Sequence, residues 1–228
     1  MNAYYGITTN VESSRSKAGI KLPNARSTPL SYSNLSTWWR CLWRLKAQTK
    51  NREFQSHLTA SKPPPPSTQT RWQPPSDPWI KLNVDAAITE VGTCIEVSGL
   101  IRNHLGEVLI SFCSNTKTTC TIEVVEAFNL RHGISCAKDA DLGPVLMESN
   151  AYNVVSLVNN KTVTSADIGV IIKDVQNLLV SIPGSSVCFV PRSCNSAAHM
   201  LVKWSVANNG TFSWQGETPH WLLSSNVF

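Results

Sequence analysis

The chain has no apolar run approaching the ~18–20 uninterrupted residues a membrane helix needs, so no spanning segment is expected. It has no Cys-x-x-Cys pair, and its seven cysteines, Cys41, Cys94, Cys113, Cys120, Cys136, Cys188 and Cys194, are odd in number and scattered. That usage indicates neither a disulfide framework nor a zinc knuckle, and it suits a reducing intracellular setting, nuclear or cytoplasmic. Several of these cysteines fall inside strand-like runs, where Cys behaves as a small apolar residue. Acidic residues are almost missing from the first third. Residues 1–75 carry 11 Lys/Arg against only Glu12 and Glu53, whereas residues 76–228 carry 9 Lys/Arg against 13 Asp/Glu. The net charge of +5 therefore hides a basic arm joined to a slightly acidic body. Such an arm would supply any sequence-independent attraction for phosphates. The first thirty residues are rich in Ser, Asn and Thr but form no clear Arg-rich amphipathic helix, so a transit peptide is the lesser reading there.

With 228 residues and 42% hydrophobic content, the chain can bury one substantial core. Residues 1–36 show no sustained periodicity and are expected to be disordered. In residues 37–58, Trp39, Leu42, Trp43 and Leu45 can share one face of a short helix. Residues 59–78 read as a linker, because seven of the thirteen prolines lie between Pro63 and Pro78. Such density favours an extended, semi-rigid spacer over the alternative of an SH3-type ligand. The folded domain is expected over 79–223.

That domain is organised around Trp79 to Ala87. Ile80, Leu82 and Val84 alternate with Trp79, Lys81, Asn83 and Asp85, which is the period-two pattern of a strand. The strand reaches a carboxylate, Asp85, followed by the small residues Ala86 and Ala87. A carboxylate at the end of a buried strand is costly unless it is paired or bound to metal; the alternative is an ordinary turn aspartate. Cys94–Arg102 and Val108–Phe112 form a hairpin with Gly106 in its turn. Residues Glu123–Ile134 suit a helix that buries Val125, Leu130 and Ile134. Pro144–Asn150 reads as a fourth strand, followed by helices over 151–160 and 167–180. A strand over 186–190 and a last helix over 195–207 complete the order. The expectation is an α/β fold, a mixed five-stranded sheet with helices on both faces.

The ordered motifs carry a resemblance. Trp72, Pro74 and Pro75 match W-x-P-P, Lys81 to Ala87 match K-L-N-x-D-G/A-A, and Ile101-Arg102 with Gly106 match I-R-x-x-x-G. Glu126-Ala127 match A-E-A in part, and Glu148-Ser149-Asn150 stand where E-S-D is usual. Arg192, Asn195, Ala198 and His199 match R-x-x-N-x-x-A-D/H. Over residues 72–223 the chain thus resembles the ribonuclease H type 1 domain, in the plant branch related to non-LTR retrotransposons. Trp38 to Lys50 resembles the start of the zinc-binding region of the corresponding reverse transcriptases. The later Cys and His of that region do not follow, so this stretch reads as a truncated remnant without a metal site, or as a plain amphipathic helix.

The resemblance implies a ribonuclease H-like fold, a nucleic-acid partner (an RNA–DNA hybrid or RNA), a monomer, and hydrolysis of the RNA strand with two Mg²⁺ ions, with Mn²⁺ as a substitute. Two such ions, ~3.5–4 Å apart, stabilise the attacking and leaving oxygens of a phosphodiester. Mg²⁺ takes hard oxygen ligands in octahedral geometry. Carried over residue by residue, the catalytic set is Asp85, Glu126, Asn150 and His199, with Asp85, Glu126 and Asn150 as metal ligands. Asp85 would bridge both ions and Glu126 would hold the one on the leaving-group side, with Glu123 as the alternative in another register. Asn150 stands where the family has Asp and brings an amide oxygen without charge. Imidazole at His199 suits Zn²⁺ or Mn²⁺ better than Mg²⁺, and a helix-surface histidine is the plainer reading. Asn195, Ser149 and Asn150 can also act as helix caps. The alternative function is a catalytically impaired, retroelement-derived relative that only binds nucleic acid or serves as an interaction scaffold.

Overall fold

Alternation over Ile80–Ile88 builds strand β1, and the computed structural model describes it together with the rest of residues 71–88, 94–118, 120–160, 167–216 and 218–223. The readings for residues 1–36, 37–58 and 59–70 lie outside the described residues. Strand β1 is followed by β2 (Cys94–Arg102), β3 (Val108–Lys117), helix α1 (Ile122–Asp139), β4 (Val145–Ser149), α2 (Tyr152–Asn159) and α3 (Asp167–Ser181). Strand β5 (Ser186–Phe189), a 3-10 turn over Arg192–Asn195, helix α4 (Ser196–Asn208), β6 (Thr211–Gln215) and a short α5 (His220–Leu223) complete the order. One mixed sheet runs β5-β4-β1-β2-β3-β6. Strands β1, β2, β3 and β6 pair antiparallel, while β4 and β5 run parallel to β1. The sheet therefore has six strands, one more than the patterning indicates.

Period two separates the faces of β1. Leu82 and Val84 point to α1, where Gly133 lets the helix lie close: a Cβ there would sit 2.8 Å from Leu82 Cδ2. Val125, Leu130 and Ile134 are all buried on this helix, at the spacing of one apolar face. Asn83 and Asp85 point to the other face, which α4 covers with Ala197 and Leu201 against Leu100 and Cys113. The same face extends across β6 and α5 through Trp204, whose ring meets Phe212 at 4.4 Å, Trp214 at 5.4 Å and Trp221 at 5.3 Å between centroids. Such aromatic pairs add ~0.5–1.5 kcal/mol beyond their burial. The edge strand is thus held by one aromatic cluster.

The end of the expected linker lies on the domain. Lys81 Nζ donates to Gln73 O at 2.8 Å, Pro75 is buried, and the Trp72 ring covers the guanidinium of Arg102 at 3.3 Å from its centroid. Arg102 is fully buried and donates to Asn83 Oδ1 at 2.8 Å; Asn83 Nδ2 donates to Glu148 Oε2 at 2.9 Å, and Lys81 pairs with Glu148 Oε1 at 2.6 Å. Each buried charge here has an opposite or polar partner, the condition under which burial is tolerable. Glu148 is spoken for by this network and faces away from the end of the strand.

Candidate active site

The parallel register sets the site. β4 pairs with β1 only as far as Val84 opposite Ser149, so Asp85 and Asn150 are the next residues on two adjacent strand ends. On the other side, the β1–β2 ladder continues to Ile88 opposite Ile95. Beyond Ser149, then, the β4 side of β1 is open while its backbone stays fixed. Two backbone groups face the opening, Val84 C=O and, two residues on, Ala86 N–H. Val84 O accepts from Asn195 Nδ2 at 2.7 Å. Ala86 N–H donates towards the carboxylates of both Asp85 and Glu126.

Helix α1 brings Glu126 to that point. Glu126 is 6% exposed, and its Oε2 has no hydrogen-bond partner among the described residues. Its carboxyl is pushed well above the ordinary range, first by burial, then by the neighbouring Asp85 charge and, less, by Glu123. Glu126 rather than Glu123 is the buried acid of α1. Asp85 is also pushed up by burial, against the pull of His199 and Arg192. Two buried carboxylates that repel each other without a counter-charge between them make a ready cation site.

The other two predicted residues arrive differently occupied. His199, on the first turn of α4, places Nδ1 2.8 Å from Asp85 Oδ2. Arg192 Nη2 lies 3.0 Å from His199 Nε2. Arginine has only donors, so Nε2 accepts and the Nδ1–H donates to Asp85 in this arrangement. Asn150 Oδ1 accepts from Asn195 Nδ2 at 2.7 Å. The structure thus brings Asp85, Glu126 and His199 into one locus, with Asn150 beside it and held by Asn195. Asn195 occupies the N-cap position of α4, yet its side chain makes no capping bond there and ties β1 to Asn150 instead. Ser149 Oγ accepts from Ala151 N–H at 3.1 Å, a local turn bond ahead of α2.

A description of the reverse transcriptase-like family matches residues 83–205, more than half of the chain. The chain belongs to the reverse transcriptase-like family. No curated protein matches its sequence significantly. Among solved structures, the chain is similar to RNase H1 from the archaeon Halobacterium salinarum, with a TM-score of 0.53 and 16% identity over 57% of this chain and 98% of that one. It is similar to the N-terminal RNase H domain of a Mycobacterium tuberculosis protein, with a TM-score of 0.52 and 14% identity over 57% of this chain and 94% of that one. It is also similar to an RNase H1 isolated from compost by a metagenomic approach and solved with an RNA/DNA hybrid, with a TM-score of 0.50 and 15% identity over 57% of this chain and 98% of that one. At such identities the likeness establishes the fold, which is RNase H-like.

Members of this family share a motif order, but the motifs leave several positioning residues unmarked. Asn129 on α1 donates through Nδ2 to Asp85 O at 2.8 Å and to Ser98 O at 2.9 Å, pinning the helix to β1 and β2 at Asp85. Ser98 Oγ donates to Ala198 O at 2.7 Å and fastens α4 to the same point from the other face. The one available signal is a fully buried amide between Phe128 and Leu130, because buried polar groups need partners.

The donor set can be weighed against a divalent metal. No three His, Cys, Asp or Glu side chains converge as ligands among the described residues. Asp85 and Glu126 do fit one hard cation, since Glu126 Oε2 is buried without a partner and both oxygens are of the type Mg²⁺ and Mn²⁺ take. Water would complete the coordination, as Mg²⁺ usually retains several waters.

Proposed function

We propose that the domain is an endoribonuclease of the RNase H type, cutting the RNA strand of an RNA–DNA hybrid in a divalent-cation-dependent reaction. The carrying observation is the buried Glu126 carboxylate, its Oε2 without a partner among the described residues, beside Asp85 at an open strand end. The family match and the RNase H-like fold support it, as does a similar RNase H1 solved with an RNA/DNA hybrid. Asp85 and Glu126 would hold a divalent cation, which would supply Lewis-acid stabilisation of charge on phosphate oxygens and activate water for attack. The chain's own residues fix that centre. Asn129 holds the Asp85 backbone, Ser98 fastens α4 beside it through Ala198 O, and Asn195 holds Val84. Arg192, exposed beside His199, offers a cation to an incoming phosphate. Discrimination of RNA from DNA would rest on 2′-hydroxyl and shape contacts rather than base edges.

A labelled RNA–DNA hybrid incubated with the chain and Mg²⁺ or Mn²⁺ tests this. Wild type is expected to cleave, and Asp85→Asn to lose at least ~10²-fold in rate, on the order of an electrostatic catalytic group. Equal cleavage by both proteins would remove Asp85 from the reaction and overturn the reading. One observation favours the second reading, a relative that only binds nucleic acid: Asp85 Oδ2 is already engaged by His199. Hybrid binding without cleavage in either metal would establish it.

A further inference from the structure

We infer that this site is built for one divalent cation, held between Asp85 and Glu126, and that hydrogen bonds from the chain itself fill the place of a second. The inference rests on the reading of Asp85 and Glu126 as cation ligands and goes further, to how many ions they take. The side of Asp85 nearer Glu126 and the side nearer α4 differ in kind. On the first, Glu126 is at least nine-tenths buried, carries an Oε2 without a partner among the described residues, and faces the Asp85 charge, the N–H of Ala86 and, more weakly, the Glu123 charge. Negative charge there is uncompensated. On the second, the oxygens nearest α4 already accept hydrogen bonds from the chain. Asp85 Oδ2 accepts from His199 Nδ1 at 2.8 Å, and Arg192 stands behind that ring at 3.0 Å from Nε2. Asn150 turns its Oδ1 to Asn195 Nδ2 at 2.7 Å. A carboxamide has one acceptor and one donor end. With the oxygen committed to Asn195, the other end of Asn150 is an NH₂ group, which repels a cation.

Asn195 enforces this orientation. Its Nδ2 is fixed by Val84 O, at the last paired position of β1 with β4. The amide therefore presents donors to both neighbours, and Asn150 must answer with its oxygen. Charge points the same way. Beside two carboxylates and a guanidinium, two dications would leave a much larger positive excess than one does. Asn150 and His199 thus act together: the first brings no ligand charge, and the second supplies a donor that takes up Asp85 Oδ2.

Mn²⁺ titrated into the full chain, followed by calorimetry and by electron paramagnetic resonance of the free ion, measures the number of sites. Sites are counted as those lost in Asp85→Asn, which removes contributions from other carboxylates. One equivalent is expected in wild type and none in Glu126→Gln, with circular dichroism confirming that both variants fold. The double variant Asn150→Asp with His199→Asp is expected to take two. Two Asp85-dependent equivalents in wild type would overturn the inference, as would none, or a Glu126→Gln protein that binds as wild type does. The nuclease reading stands or falls separately. One ion bound without hybrid cleavage keeps the site and removes the activity; cleavage with two ions bound does the reverse.

Discussion

Glu126 carries a cost that the folded chain sustains at neutral pH. Its carboxyl is raised above the ordinary 4.5 by burial first and by Asp85 next. The folded state therefore holds this proton more tightly than the unfolded state does. The stability it contributes is full below the unfolded value and is lost as pH rises through the folded one. At pH 7 a Glu126→Gln protein should melt above wild type, by ~2–4 °C for each kcal/mol recovered, and the gap should close by about pH 4. Thermal unfolding at the two pH values checks this; a variant that melts lower at both would show that the carboxylate is satisfied in the metal-free fold. Stability given up at a functional group is a recurrent trade. Asp85 and Glu126 are legible in sequence because each sits in a short motif. Asn129 and Asn195 are not, because their partners are carbonyls on strands far along the chain, and a propensity argument sees only a poor helix residue and a cap.

At the level of elements, the residues before β1 belong to the domain. Trp72 and Pro75 sit among the prolines that make residues 59–78 read as a spacer, and composition cannot reveal that an indole covers a buried arginine on β2. A desolvated cation–π contact is worth ~2 kcal/mol. Trp72→Ala should accordingly lower the urea unfolding free energy by ~2–4 kcal/mol once lost packing is included, while Trp72→Phe should recover about half. No change in the alanine variant would mean that Arg102 is held by Asn83 and Glu148 alone. Strand β6 was hidden for a different reason. Phe212 and Trp214 do alternate with Thr211, Ser213 and Gln215, and Asn209 is left-handed at φ 47° ahead of Gly210. Five residues behind a last helix give too short a pattern to separate an edge strand from a tail. The five other strands were legible because their alternation or apolar run is set off by turn residues or by a helix of another period.

Over the whole molecule, charge and fold divide the work. The acidic body holds the paired carboxylates Asp85 and Glu126, while the basic surplus lies in residues 1–75. Hybrid affinity should fall steeply with salt in the full chain, and deleting residues 1–70, which removes every cation of that arm but Arg71, should make the slope of log K against log salt shallower. An unchanged slope would mean that the arm touches no phosphate. No helix among the described residues is long and apolar enough to cross a membrane. The order of motifs made the fold readable, since strands and helices alternate as an RNase H-like sheet requires. The state of the site was less readable, since it depends on which amide oxygen faces which amide nitrogen. The early end of β4 also leaves the molecule an internal gauge. Ala86 N–H, released from strand pairing on that side, is shared by the two acids. In a nitrogen–proton correlation spectrum of the ¹⁵N-labelled protein, this backbone resonance should shift as Mg²⁺ enters and stay still as sodium is added, reporting site occupancy without substrate.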